Sequence, residues 1–261
     1  MRKYNIKILI VLYIMLFHKA CHFSGLDTLI YRSCNRNISK DYYFYIWDYC
    51  TKRQMISNKF FHEKCNIHNT WNYGLTFEDT SKKSIVTYSP KYGFGDYSIS
   101  EYNEERYIVK AISHLYTTEK YGQCQLINKC DIGNVDKTKF IIQPLLKNNK
   151  GEELNIFVFK NMNTNDIHLI SVMVTHDVNK NVNRKYNQCS NTFCDLTNVF
   201  GEKNINNLKQ YCKAIHLDYG RVELINDVNR GWCVIDINNS PGGGPLSNMI
   251  QKKFVNLFNT L

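Results

Sequence analysis

Two carboxylates and one carboxamide near the carboxyl end of the chain have spacings that suit cation binding. Asp236 and Asn238 are two residues apart, so in a strand their side chains project from the same face. Glu223 lies on the preceding predicted strand, and antiparallel pairing can bring it opposite them. Such oxygen donors suit Mg²⁺, which keeps some waters and takes further ligands from phosphate. The alternative is a polar hairpin in which Asp236 and Asn238 serve only as turn residues.

A glycine-rich loop follows this hairpin. Residues 241–245 read Pro-Gly-Gly-Gly-Pro, which leaves room for a substrate to approach backbone N–H groups. The sequence has neither a Gly-x-Ser-x-Gly elbow nor a P-loop. Among eight His, only His18 and His22 have the spacing of a helical zinc pair, and Lys19 stands where a zinc hydrolase carries its Glu base. The hairpin is therefore the first candidate site.

The strands that position these residues are indicated by apolar alternation and by β-branched and aromatic residues. They are predicted at 106–111, 139–145, 154–160, 167–175, 221–225 and 232–237. The third and fourth are expected to pair antiparallel across a polar turn, and the last two are expected to form a hairpin. In the strand at 154–160, both faces carry apolar residues, which predicts burial on both sides.

Helices are expected at 40–55, at 205–215 and from about residue 247. A sheet-and-turn region is expected to begin at 75–84. The glycines and proline of 90–95 predict a turn or flexible loop.

The composition is that of a globular protein. The 261 residues suffice for one large domain or for two or three small lobes, and 43% hydrophobic with 21% charged residues argues against disorder. The formal net charge is +10, but the basic residues are scattered. Either a solvated surface or a site for an anionic ligand such as a nucleotide is compatible with this charge. No aromatic-basic motif accompanies it, so nucleic acid is not an expected partner.

Ten Cys fit a secreted disulfide-linked protein in principle, but the chain is long enough not to need such cross-links. Reduced thiols are expected, with Cys212 and Cys233 as buried apolar residues. The basic start and the apolar run at 8–17 have the charge and length of a signal peptide, and the run would serve equally well as a buried strand. We expect a cytoplasmic protein, with the secretory pathway as the alternative if 1–20 is a signal peptide; membrane anchoring stays open.

Two segments resemble the closing block of the ATP-grasp superfamily. They are Tyr-Gly-Arg-Val-Glu-Leu-Ile at 219–225 and Cys-Val-Ile-Asp-Ile-Asn-Asn-Ser-Pro-Gly-Gly at 233–243. In that family an acidic residue on one strand and an acid-x-Asn on the next hold the magnesium ions bound to ATP. The resemblance makes Glu223, Asp236 and Asn238 metal ligands, the last two also catalytic. Asp236 stands where the family usually has Glu, which is one methylene longer.

A second block, at 140–146 and 151–158, is similar to the family's hinge strand and the strand after it. The resemblance implies that the backbone at Gln143, Pro144 and Leu145 binds adenine and that Glu153 contacts the ribose. Many members carry Arg two positions after a Glu on this strand, where this chain has Asn155. The same side chains, taken alone, also fit ordinary polar surface positions.

A third block, Tyr-Ile-Val-Lys-Ala at 107–111, looks like the family strand whose lysine reaches the ATP phosphates. Lys110 is therefore expected to bind and stabilise the triphosphate during transfer. The family's glycine-rich flap after this strand is poorly matched, because 113–125 contains only Gly122. The richer candidate, at 91–95, precedes the strand.

Together these blocks imply an α+β protein with the ATP-grasp fold, in which two α/β lobes clamp a nucleotide. The expected organisation is an apolar N-terminal segment at 1–25, an abbreviated preceding lobe at 26–75 and the nucleotide-binding and catalytic lobes at 76–261. The implied cofactors are ATP and Mg²⁺. The implied reaction activates a small-molecule or peptide carboxylate as an acyl phosphate, which an amine or similar nucleophile attacks. Two rivals are a degenerate relative that binds a nucleotide or a partner, and a secreted disulfide-linked binding protein.

Overall fold

The fold is taken from a computed structural model. It describes residues 79–97, 104–112, 124–148, 150–161, 164–176 and 189–238, the short strands at 47–48 and 53–54, and a few positions beyond 248. The expected N-terminal segment, most of the preceding lobe, residues 113–123 of the poorly matched flap position and the glycine-rich loop lie outside these residues. The chain divides into two compact units, 1–71 with 240–261, and 72–239.

The larger unit contains a five-stranded antiparallel sheet. Its strands are β6 (Glu152–Lys160), β7 (Ile167–His176), β8 (Cys189–Phe193), β9 (Tyr219–Asp227) and β10 (Gly231–Asn238). Their order in the sheet is β10-β9-β6-β7-β8. The predicted pairing of β6 with β7 and the predicted β9–β10 hairpin are both confirmed. β6 is buried on both faces, as its apolar pattern predicts.

A second sheet of three antiparallel strands contains β3 (Arg106–Ala111), β4 (Cys124–Asn128) and β5 (Phe140–Pro144), in the order β4-β3-β5. One face of β3 and β5 carries Tyr107, Val109 and Ile142, which form a small separate core. Because strand side chains alternate, Lys110 and Gln143 point the other way. The register places Ile108 opposite Gln143 and Lys110 opposite Ile141, so both polar residues are on one face.

The described residues of this unit also contain three α-helices: α1 (Asp79–Thr87), α2 (Leu196–Phe200) and α3 (Glu202–Ala214). Asp195 caps α2 by accepting a hydrogen bond from the Thr197 N–H, 2.9 Å away. α3 buries Leu208, Tyr211 and Cys212 against the main core, which lies on the face of the large sheet that carries Leu154 and Ile156. The α+β class predicted from the sequence is therefore confirmed.

Two local predictions are wrong. Residues 79–84 form the start of α1 instead of a sheet-and-turn region, because a helix here buries Ser84 and Ile85 and leaves Lys83 and Thr87 exposed. The helix expected at 40–55 is interrupted by β1 (Trp47–Asp48) and β2 (Arg53–Gln54), which pair antiparallel. Aromatic residues there favour a strand as readily as a helix.

Five cysteines of the described residues carry free thiols: Cys124, Cys130, Cys194, Cys212 and Cys233. Cys212 and Cys233 are fully buried among apolar side chains, as predicted. Burial raises the pKa of the Cys233 thiol to about 12, so it stays protonated. Over the described part of the chain, no helix is long and apolar enough to cross a membrane.

Candidate functional site

The β9–β10 hairpin places the predicted metal ligands side by side. Asp236 lies directly opposite Glu223 in the register, and Asn238 lies opposite Arg221. The predicted juxtaposition is therefore confirmed, and the ligand roles stay predictions. On the other face, Val222 and Ile237 are buried in the main core, so the hairpin is anchored by its apolar face and presents its polar one.

An irregularity in β10 lies next to these carboxylates. The register shifts between Val234 and Asp236, so that Ile235 has no opposite residue in β9. A bulge of this kind adds one residue to one strand and lets Val234 and Ile237 both face the core, although they are three positions apart. The carbonyl of Ile235 accepts a hydrogen bond from the Lys110 ammonium, which comes from β3 in the other sheet. The bulge therefore provides the acceptor that places Lys110 beside Asp236.

Asp236 is paired with a cation from another element. Lys82, on α1, forms an ion pair with its Oδ1 atom. Burial alone would raise the pKa of the Asp236 carboxyl, but Lys82, Lys110 and the N–H of Ile237 together hold that pKa below its usual range. The carboxylate is thus fixed in its charged form by two cations from two different elements.

Glu223 has the opposite electrostatic environment. Its carboxylate forms an ion pair with Arg221 on the same face of β9. Burial raises the pKa of Glu223, Arg221 lowers it, and the neighbouring Asp236 and Glu153 raise it further, so the net direction is upward. A group in this condition would gain from an additional cation, because such a cation favours its ionised form.

Lys110 is held in a similar balance. Burial lowers the pKa of its ammonium, and Asp236 opposes that effect. Lys82 lowers the pKa further, whereas Glu223 raises it. The same four side chains therefore act on one another, and the structure brings Lys110, Glu223 and Asp236 together as the sequence predicts.

Glu153 and Asn155 extend the polar face onto β6. Asn155 is opposite Glu223 in the register, and its Nδ2 donates a hydrogen bond to Glu153 Oε1 at 2.9 Å. The buried Oδ1 of Asn155 has no hydrogen-bond partner among the described residues. An orphaned buried acceptor normally requires an explanation such as an unseen ion or water. It faces the same region as the two carboxylates.

The predicted adenine-binding segment lies on the neighbouring sheet. The Gln143 side chain is buried, and its Nε2 donates to the carbonyl of Val234, 3.4 Å away. The N–H of Leu145 donates to the Arg106 carbonyl at 3.2 Å, just after the end of β5 at Pro144. Gln143 therefore contacts β10 two residues before Asp236. The adenine role of this segment and the ribose role of Glu153 stay predictions.

The oxygen donors fit a magnesium ion that takes part of its shell from water and phosphate. Two opposed carboxylates and the orphaned Asn155 oxygen supply the hard ligands that this ion prefers. Over the residues that the structure covers, no group of three or more His, Cys, Asp or Glu side chains is placed to hold a metal.

Lys82 and the bulge at Ile235 are two features that sequence reasoning missed. Lys82 lies in a segment that is predicted as a sheet-and-turn region and is a helix. The sequence therefore does not indicate that its side chain points toward the hairpin. The bulge had one signal: in an unbroken strand, Val234 would share a face with Asp236 and Asn238, although it is apolar. Tyr97 was also missed; its hydroxyl donates to the Val234 carbonyl and ties the segment after α1 to β10.

No family model matches the chain, and no curated protein matches it in sequence. Among solved structures it is similar to an ATP-grasp ligase associated with ribosomally made peptides from Chryseobacterium gregarium, in complex with ADP and a leader and core peptide. The TM-score is 0.47 at 14% identity, over 69% of this chain and 60% of that one. The chain thus spans less than two thirds of that ligase.

Two further solved structures are similar. The ATP-grasp ligase PsnB complexed with a minimal precursor gives a TM-score of 0.48 at 10% identity, over 76% of this chain and 66% of that chain. The D-alanine–D-alanine ligase from Coxiella burnetii gives 0.41 at 12% identity, over 69% and 58%. The chain is similar to these ligases over 69–76% of its length.

Proposed function

We propose that this chain is an ATP- and magnesium-dependent ligase that activates a carboxylate as an acyl phosphate for attack by an amine or similar nucleophile. The observation that carries the proposal is the meeting of Lys110, from one sheet, with the opposed Glu223 and Asp236 of the other. A cation and two carboxylates at a half-buried junction between two sheets are the groups that a metal-bound triphosphate requires.

Each side chain has a distinct task in this proposal. Glu223 and Asp236, with Asn238, would hold magnesium, which when bound shields the phosphate charge. Lys110 is held by the Ile235 carbonyl before any ligand arrives, so its ammonium needs little reorganisation to stabilise a phosphoryl group. Partial burial of the cluster strengthens these interactions relative to water. The segment 143–145 and Glu153 would hold the base and the sugar.

A nucleotide-binding protein without turnover is the second candidate. Asn155 favours it, because this position carries Arg in many ATP-grasp members and here holds a neutral amide bonded to Glu153. A neutral side chain cannot supply the charge that an arginine gives to a phosphate or carboxylate. Binding of ATP with Mg²⁺, but no ADP release with any acid and amine, would favour this candidate.

The test combines binding with turnover. Calorimetry would measure ATP affinity with Mg²⁺ for the wild type and for Lys110→Met, and ADP release would be screened against amino acids, peptides and sugar acids with amine acceptors. Lys110→Met is expected to weaken ATP binding roughly 10- to 100-fold, a loss of about 1.4–2.8 kcal/mol, because a positioned phosphate-binding cation is lost. Asp236→Ala is expected to abolish ADP release.

The matched control is Lys83→Met, which removes an exposed lysine next to Lys82 on α1. It should leave both measurements unchanged, and circular dichroism should confirm that every variant is folded. Unchanged turnover in Asp236→Ala, with any accepted substrate, would show that the site is wrongly assigned.

A further inference from the structure

Lys82 forms an ion pair with Asp236, one of the carboxylates that the proposed function assigns to a metal. Its ammonium pairs with Asp236 Oδ1 across 154 positions of the chain, from the first half of α1 to the end of β10. The side chains are 20% and 30% exposed, so the pair is partly shielded from water and still within reach of solutes. Lys110, by contrast, is directed at the Ile235 carbonyl. Lys82 is therefore the cation that directly contacts the carboxylate.

Among the described residues, the charges of the cluster are balanced. Three cationic side chains, Lys82, Lys110 and Arg221, act on three anionic ones, Asp236, Glu223 and Glu153. A divalent cation entering this set would leave an excess of two positive charges. Without Lys82 the set would carry one net negative charge, which attracts a divalent cation. At separations near 4 Å, such a difference in net charge changes the affinity for a divalent cation by more than about tenfold, even in a partly solvated site.

Geometry adds a second obstacle to metal binding. An ammonium on Asp236 Oδ1 leaves a metal ion only the remaining lone pairs of this carboxylate, and the like charges of the two cations repel at contact distance. A polyanion such as a triphosphate would offer Lys82 another partner and would add the negative charge that the balanced cluster lacks. Metal and polyanion would then enter together, whereas metal alone would be resisted.

We infer that Lys82 is an internal counter-ion that keeps divalent metal off Asp236 until a polyanionic ligand draws its ammonium away. This inference rests on the proposed function for the identity of the site. It assigns a function to a side chain that lies outside the three segments similar to the ATP-grasp superfamily. Because Lys82 lies on α1, this helix would then set the order in which metal and nucleotide bind.

The test measures Mn²⁺ binding to the full chain by electron paramagnetic resonance, with no nucleotide present. Lys82→Met and Lys82→Gln are expected to bind Mn²⁺ at least about tenfold more tightly than the wild type. Lys82→Arg keeps the charge and should bind as weakly as the wild type, and so should Lys83→Met. Adding Asp236→Asn to Lys82→Met should abolish the gain, because it removes the carboxylate that the metal would reach.

Equal Mn²⁺ affinity in the wild type and in both neutral Lys82 variants would overturn the inference, as would a gain that persists with Asp236→Asn. A measurement on the wild type alone guards against variants that fail to fold. Acylation of lysines followed by mass spectrometry should show unchanged reactivity of Lys82 and of Lys83 when Mn²⁺ is added without a polyanion; faster acylation of Lys82 under that condition would also refute the inference. Because no nucleotide is used, failure here is distinct from failure of ATP binding or turnover.

Discussion

Removing the carboxylate of Asp227 is expected to destabilise the hairpin that carries the site. This side chain is fully buried at the end of β9. Its Oδ1 accepts hydrogen bonds from the N–H groups of Asn229 and Arg230, at 3.0 and 2.9 Å, and its Oδ2 accepts one from the Lys147 N–H at 2.7 Å. It also pairs with the Arg230 guanidinium at 3.3 Å. One carboxylate thus closes the β9–β10 turn and ties it to the segment after β5.

The magnitude follows from these contacts. A hydrogen bond to a charged group contributes about 1.5–3 kcal/mol, and such contributions do not add fully within one network. Asp227→Ala is therefore expected to lower the free energy of unfolding by about 3–5 kcal/mol. Asp227→Asn keeps the shape and one acceptor oxygen and should cost about 1–3 kcal/mol. Urea unfolding at pH 7, followed by circular dichroism, measures both.

The pH dependence gives an independent check. Burial would raise the pKa of Asp227, but the backbone N–H groups of Lys147, Asn229 and Arg230 and the Arg230 charge lower it overall. A depressed native pKa means that the stabilisation is complete above the unfolded pKa of about 3.9 and is lost as pH falls through the native value. The cost of Asp227→Asn should accordingly be constant from pH 7 to pH 5 and shrink below about pH 4.

Asp136 is the control for this experiment. It is an exposed carboxylate that accepts hydrogen bonds from the Thr138 N–H and hydroxyl, so Asp136→Asn should change stability little. A cost for Asp227→Ala below about 1 kcal/mol at pH 7, or a cost for Asp227→Asn that does not change down to pH 3.5, would refute the role given to this carboxylate.

Two further substitutions test the packing behind the site. Gly95→Ala is expected to lower the free energy of unfolding by about 2–4 kcal/mol, because Gly95 has a φ of 85° and a Cβ there would lie 2.5 Å from Cys233 Sγ. Thermal unfolding measures this loss. If adding Cys233→Ala to the same chain recovers none of it, the clash is not its cause. Tyr211→Phe should cost about 1–2 kcal/mol, because the buried Tyr211 hydroxyl lies 2.7 Å from Ser84 Oγ and joins α3 to α1; urea unfolding measures it, and Tyr92→Phe, which alters a half-buried ring neighbouring Tyr211, serves as the comparison. A Tyr211→Phe variant as stable as the wild type would contradict the contribution of this contact.

Strand positions in the larger unit could be predicted from sequence because apolar alternation fixes both the element and its buried face. The predicted strand at 106–111 has the observed bounds, and β5, β6, β7 and β9 differ by a few residues at their ends. The pairing of Glu223 with Asp236 followed from the hairpin alone. These are local properties, set by neighbours in the chain.

What could not be predicted depends on contacts between distant segments. The direction of Lys82 is decided by the packing of α1 against β10, and the 79–84 segment has too few apolar residues to reveal its helical period. The role of Gln143 depends on the Val234 carbonyl, 91 positions away. The local sequence pattern around Lys82 or Gln143 does not indicate these contacts with β10, so they can be read only from the folded structure.

The extra residue in β10 has a consequence for the length of this hairpin. Leu224 and Glu223 are adjacent in β9, and their partners Val234 and Asp236 are separated only by the unpaired Ile235. Deleting Ile235 would therefore keep both pairs opposite each other. Such a hairpin would be flatter and more regular, because bulges increase the local twist of a strand. It would also lack the carbonyl that holds Lys110. A single-codon deletion could therefore give a well-formed hairpin whose two carboxylates have lost their lysine from the opposite sheet.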